Sequence, residues 1–186
     1  MRINVTAGEG NDASVLRAVG AEVSGVLSAV SEHQLAEAAQ LLADRGRRWF
    51  FCGQGRSGLV AQMAAMRLMH VGFEAHVVGE ATTPSIAEGD RLMAFSGSGE
   101  TPVTLHFARL AHELGARILA VTTRADSTLA GLAQATIELP TSGTRQFGGT
   151  LFEQSALLVL DALAMKLTEA DPGSYALMQA RHANLQ

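Results

Sequence analysis

A single cysteine, Cys52, stands in the 186 residues, so no internal disulfide can staple the fold, and a reducing compartment suits the chain. Charge is scarce too. Asp, Glu, Lys and Arg make up 17% of the residues, against a usual level of about 25%. With 47% apolar residues, part of the apolar surface is expected to be hidden between subunits. The net charge is −4 and no basic run occurs, which sets nucleic acid aside as a partner. Arg45, Arg47 and Arg48 come nearest to a basic patch and read as the solvated end of a helix before a strand. No charge-free apolar run approaches the roughly 20 residues that span a bilayer, so no membrane partner is expected. Residues 1–14 include Glu9 and Asp12 and have no apolar core, which argues against a secretory signal. A cytoplasmic protein is the expectation. The six histidines, at positions 33, 70, 76, 106, 112 and 182, show no ligand spacing, and no metal site is expected. Those at 70, 106 and 112 read as packed or solvated helix residues.

What is present is alternation. Val15, Leu16, Val19, Val23, Val26, Leu27 and Val30 form a helical stripe over Asp12–Val30. Ser31 with Gln34 reads as a capping box opening a second helix, so N-terminal helices are expected over 12–45. Strands are expected at 48–52, 74–78, 91–95, 118–122 and 136–139, and helices at 57–71, 102–114, 127–133 and 151–169. Gly72 and Gly115 sit where helix-ending glycines belong, and Thr101-Pro102 reads as an N-cap and first helical residue. Strands alternating with helices predict an α/β domain with a mostly parallel five-stranded sheet covered on both faces. One domain is expected over 1–186, ending in a short tail at 172–186. The helix at 151–167 is apolar on nearly every side, which predicts burial all round and suits a subunit interface.

Two loops follow strands and precede helices: Gly53-Gln54-Gly55-Arg56-Ser57-Gly58 and Ser96-Gly97-Ser98-Gly99-Glu100-Thr101. Small residues let the backbone approach an anion, the helix start offers free N–H groups, and serine hydroxyls add donors. Together they predict one phosphorylated ligand, with Ser57, Ser96, Ser98 and Thr101 as candidate ligands, although Thr101 also reads as a simple cap. Gly53, Gly55 and Gly58 also spell a dinucleotide fingerprint. That motif wants an acidic residue at the end of the next strand. Glu74 begins its strand and Glu80 lies too far along, so a dinucleotide is disfavoured. A Walker loop fails because Leu59-Val60 follows Gly58.

A third segment, Arg145 to Glu153, leads through Gly148-Gly149 into the long helix. Glu153 falls in the first helical turn. Two readings stay open for it: a carboxylate favoured by the helix dipole, and a partly buried general base. His182 lies in the polar ending Arg181-His182-Ala183-Asn184-Leu185-Gln186, where residues alone assign it no role.

These loops, with Gly149-Thr150-Leu151-Phe152-Glu153, resemble the sugar isomerase (SIS) domain family and, within it, the 6-phospho-3-hexuloisomerases. Met66 to Phe73, Val78 to Pro84 and Arg181 to Leu185 match as well, so the likeness covers nearly the whole chain. It implies a three-layer αβα sandwich that converts D-arabino-hex-3-ulose 6-phosphate to D-fructose 6-phosphate through an enediolate. It implies no cofactor and a homotetramer built as a dimer of dimers. Glu153 takes the family's catalytic position, and His182 that of a C-terminal histidine reaching a neighbouring subunit's site. Arg56 and the segment Ser96 to Thr101, with Gly97, Gly99 and Glu100, take the substrate and phosphate positions. The family usually has Pro-Met where this chain has Phe147-Gly148. That departure leaves room for another phosphosugar, such as arabinose 5-phosphate, and a non-catalytic sugar-phosphate sensor is the alternative of a different class.

Overall fold

A computed structural model of the chain describes residues 12–169 and 173–184; the reading of residues 1–11 lies outside them. The elements in chain order are α1 (Asp12–Ala29), α2 (Glu32–Leu42), β1 (Arg48–Gly53), α3 (Arg56–His70), β2 (Glu74–Val77) and β3 (Arg91–Phe95). Then come α4 (Pro102–Glu113), β4 (Arg117–Thr122), α5 (Thr128–Leu132), β5 (Ala135–Glu138), α6 (Thr150–Glu169) and α7 (Ser174–Ala180). The five strands pair in parallel in the order β2-β1-β3-β4-β5. The α/β class and the covered sheet read from the sequence are what the structure has.

Strand periodicity sorts the core into two layers. Trp49 and Phe51 of β1, Met93 and Phe95 of β3, and Leu119 and Val121 of β4 pack with α2, α3 and α6. Their alternates, Phe50, Cys52, Leu92, Ala94, Ile118 and Ala120, pack with α4 and α5. Each strand is therefore apolar throughout, as a sheet covered on both faces requires. Phe51 and Phe95 are fully buried, and truncating either to Ala costs about 3–5 kcal/mol.

Several local readings change in three dimensions. The Ser31 hydroxyl accepts from Gln34 N at 3.4 Å, but the Gln34 side chain accepts from Glu138 N on edge strand β5 at 3.0 Å instead of closing the box. An edge amide needs that acceptor more than a solvated helix start does. Arg45 is not merely solvated: it donates to the Val71 and Leu167 carbonyls at 2.6 and 3.0 Å, past the end of α3 and near that of α6. Arg48 grips Asp90 with two bonds of 3.1 and 2.6 Å. Where a tail was expected, α7 forms, and Met178 from it packs on the core. Helix α6 buries one side, while Leu158 and Met165 are 43% and 63% exposed. Among the described residues no single helix is long and apolar enough to cross a membrane.

Candidate active site

The strand order dictates where a ligand can lie. β1 has β2 on one flank and β3 on the other, so the chain leaves β1 and β3 in opposite directions and opens a crevice at their carboxyl ends. Gly53 and Phe95 are register partners. Both loops therefore leave the sheet side by side.

The first loop is held by glycine contacts. A Cβ at Gly53 would stand 2.6 Å from the Ser57 carbonyl oxygen, and one at Gly58 would stand 2.9 Å from the Gly53 oxygen. The G-x-G-x-x-G spacing thus has a steric cause in this turn. The second loop is fixed from β4. The Gly97 carbonyl accepts from Thr123 N, Thr123 Oγ1 and Thr122 Oγ1 at 3.0, 2.8 and 3.2 Å. The buried Ser96 Oγ accepts from Gly99 N at 3.1 Å and lies 2.8 Å from Thr101 Oγ1. Ser98 Oγ accepts from Glu100 N at 3.1 Å.

The expected capping by the Thr101 side chain does not occur. Its hydroxyl meets Ser96, and α4 starts with no side-chain cap bond. Helix α3 starts at Gly55 with none either. Two uncapped helix starts, each with unsatisfied N–H groups and a positive dipole end, lie beside one another. The Ser57 hydroxyl is half-buried and has no partner among the described residues.

Helix α6 brings in the third segment. A Cβ at Gly97 would lie 3.5 Å from the Phe152 ring, so the serine loop rests on that ring. The next residue, Glu153, pairs through Oε2 with Arg56 Nε at the start of α3. The Glu153 side chain is 12% exposed and that of Arg56 is 65% exposed. The carboxylate is mostly enclosed, oriented, and flanked by both loops. Gly149 keeps the entrance to this turn open, since a Cβ there would come 3.3 Å from Glu153 Oε1.

Two candidates stand apart from that group. Glu100 accepts from Thr128 N at 2.7 Å; this backbone bond is the main reason its carboxyl is held below the ordinary range. Its carboxylate serves the start of α5. His182 stacks on His70 with ring centroids 4.5 Å apart, and Arg181 donates to the Met69 carbonyl at 2.6 Å. His70 lies at the far end of α3 from Arg56, roughly 21 Å along the axis at about 1.5 Å per residue. Within one chain His182 and Glu153 are not brought together.

Sequence reasoning missed the supports. Glu22 on α1 accepts from Thr144 Oγ1, Arg145 N and Gln146 Nε2 at 2.7, 2.9 and 3.0 Å. It ties down the segment that leads to Glu153. The bond from the Arg145 backbone, then those from Thr144 and Gln146, hold its carboxyl below the usual glutamate range. More than 120 positions separate these partners, so no local pattern could signal the tie. Thr122, Thr123 and Phe152 are likewise legible only in space. Burial pushes the Cys52 thiol up to about 12, and it takes no part in the site. Among the described residues no three His, Cys, Asp or Glu side chains gather as a metal site would need.

Hydroxyls and helix starts on one side of this crevice and a paired glutamate on the other are groups that suit a phosphorylated sugar. The SIS domain family profile matches residues 41–166, and the chain belongs to that family. It is similar, at 42% identity, to the 3-hexulose-6-phosphate isomerase of Mycobacterium gastri, over 89% of this chain and 86% of that protein. The protein of the same name from Bacillus subtilis is 41% identical over 81% of this chain and 88% of its own. A solved Methanococcus jannaschii protein, whose structure was reported to infer a 3-hexulose-6-phosphate isomerase function, superposes with TM-score 0.82 at 30% identity, over 93% and 99% of the two chains.

Proposed function

We propose that this protein isomerises D-arabino-hex-3-ulose 6-phosphate to D-fructose 6-phosphate, the second step of formaldehyde fixation by the ribulose monophosphate route, as a cytoplasmic homotetramer. The observation that carries this is the placement of Glu153, mostly enclosed and ion-paired with Arg56 beside the serine loop. Relatives at about this likeness carry the name 3-hexulose-6-phosphate isomerase.

The chemistry follows from the parts. Ser57, Ser96, Ser98 and Thr101, with the starts of α3 and α4, hold the dianionic phosphate and so fix the remote end of the sugar. Arg56, largely exposed, faces the same crevice and adds positive charge to it. The Glu153 carboxylate takes the proton from C2. The C2–H electron pair becomes the C2=C3 double bond, and the C3 carbonyl oxygen takes up the negative charge as an enediolate. The same carboxyl group returns the proton to C3 while the O2 proton passes to O3, leaving the carbonyl at C2. We assign the oxygen-to-oxygen transfer to His182 of a neighbouring copy, because its own chain holds it a helix length away. Leu59, Met63 and Met66 on α3, and Leu158 and Met165 on α6, are exposed apolar residues, and they supply a surface for such a neighbour.

The test is turnover of a panel of sugar phosphates, with fructose 6-phosphate followed as product. Glu153→Gln keeps the volume and a hydrogen-bond acceptor for Arg56 but removes the base, and turnover is expected to fall on the order of 10²–10⁴-fold with KM little changed. Product formation in D2O should place deuterium at C3 in the fraction of turnovers in which the Glu153 carboxyl proton exchanges with solvent before its return. Turnover within a factor of a few of the wild type in Glu153→Gln removes Glu153 as the base; binding without turnover of any sugar phosphate overturns the assignment in favour of a sensor.

A further inference from the structure

The opposite end of the sheet holds a second polar cavity of about 360 Å³, between α2 and the amino ends of β3 and β4. Its most unusual feature is Arg91. The side chain is only 8% exposed, and its ion pair with Asp44 is a long one. Its Nη1 donates to the Gly89 and Asp90 carbonyls. Its Nε has no partner among the described residues, and its Nη2 stops 3.9 Å from Asp44. The neighbouring Asp90 carboxylate is already taken by Arg48 and by Ala87 N.

A buried guanidinium with unmet donors is costly to a fold unless an anion completes it. The rest of the cavity wall suits that completion. Arg117, exposed and without an ion-pair partner among the described residues, stands on the adjacent strand. The Gln134 amide oxygen accepts from Ile118 N at 2.6 Å, which leaves its NH2 group to donate, and Gln40 lies across the cavity. The two carboxylates on the wall have partners of their own. Glu37 lies 3.5 Å from His33, and Asp44 lies 3.0 Å from Arg47. Burial first, and then the charges of Arg117 and Arg47, depress the proton affinity of Arg91, while Asp44 and Asp90 only partly offset them. Three arginines, Arg91, Arg117 and Arg47, thus stand about the two wall carboxylates.

We propose that this cavity is an anion site for a small phosphate- or carboxylate-bearing metabolite, held by Arg91, Arg117, Gln40 and Gln134. Its volume lies at the lower end of the range for small-molecule sites. It is distinct from the crevice at the carboxyl ends of the strands: β3 runs from Arg91 to Phe95, next to Ser96, so the two sites share one strand and lie roughly 13 Å apart at about 3.3 Å per residue.

The experiment is equilibrium dialysis with radiolabelled inorganic phosphate at constant ionic strength, in the wild type, Arg117→Gln, Glu37→Gln and Ser98→Ala. Two phosphate classes per chain are expected in the wild type. Arg117→Gln should weaken one class about tenfold, as loss of a charged hydrogen bond does. Glu37→Gln should tighten that same class, a gain that misfolding cannot mimic. Ser98→Ala should weaken only the other class, so failure of the sugar-phosphate reading shows separately as a single class that depends on Arg117. Displacement of the Arg117-dependent phosphate by tricarballylate marks a carboxylate ligand, and resistance to it marks a phosphate; both keep the site. Unchanged phosphate binding in both Arg117→Gln and Glu37→Gln overturns it.

Discussion

Gly99 is the tightest point of the serine loop, and Gly99→Ala measures how much the site depends on it. Its φ is +68°, and an added Cβ would stand 2.1 Å from Ser127 Oγ and 2.3 Å from Ser127 Cβ. Three costs add. A left-handed alanine costs about 1 kcal/mol. Ser127 is buried and caps α5 by accepting from Ala130 N at 3.3 Å, so displacing it costs about 1 kcal/mol more. The bond from Gly99 N to Ser96 Oγ at 3.1 Å is strained by the same shift, at about 1 kcal/mol. A destabilisation of about 3 kcal/mol is expected, or roughly 6–12 °C in Tm for a chain of this size. Urea unfolding followed by far-UV circular dichroism reads it directly. Ser127→Gly in the same chain removes the obstructing atoms, and the double variant should recover about 2 kcal/mol relative to the sum of the single variants, because the two residues touch. A Gly99→Ala protein within about 0.5 kcal/mol of the wild type, the scatter of ordinary surface changes, refutes this account of the loop.

Three further outcomes are expected. Cys52 is buried and its thiol is pushed up to about 12, so the native protein should consume no Ellman's reagent at pH 8, and one equivalent once unfolded in urea; rapid labelling of the native protein contradicts the burial. The Glu22 carboxyl is lowered by its bonds to 144–146, so its contribution to stability is present above the ordinary glutamate value, near about pH 4.3, and is lost as pH falls through the lower folded value. The Tm gap between wild type and Glu22→Gln should therefore be full at pH 7 and shrink below about pH 4; a gap independent of pH contradicts the tie. Thr101→Val deletes the hydroxyl that lies 2.8 Å from Ser96 Oγ without removing a helix cap, so it should raise KM for the sugar phosphate about tenfold with little change in Tm. A large Tm loss with unchanged KM shows instead that the hydroxyl caps α4.

Much of the protein is determined by local chemistry. Continuous apolar runs such as Trp49 to Cys52 specify strands apolar on both faces, Gly72 and Gly115 end helices at positive φ, and serines beside glycines offer small donors at two helix starts. The sequence also marks Glu153 by its position in the first turn of an apolar helix. Long-range partners decide the rest. That α6 seats Glu153 against Arg56 and lays Phe152 under Gly97 depends on packing across about 100 and 55 positions, which no spacing encodes. The same holds for Thr101, whose hydroxyl prefers Ser96 to its own helix, and for Glu100, whose carboxylate is drawn to α5. It holds for α7 as well, since a seven-residue segment becomes a helix only where α3 offers it a surface. Local sequence sets which groups a segment can offer; only the tertiary structure decides which groups meet, because hydrogen bonds and ion pairs act over a few ångströms whatever the distance along the chain.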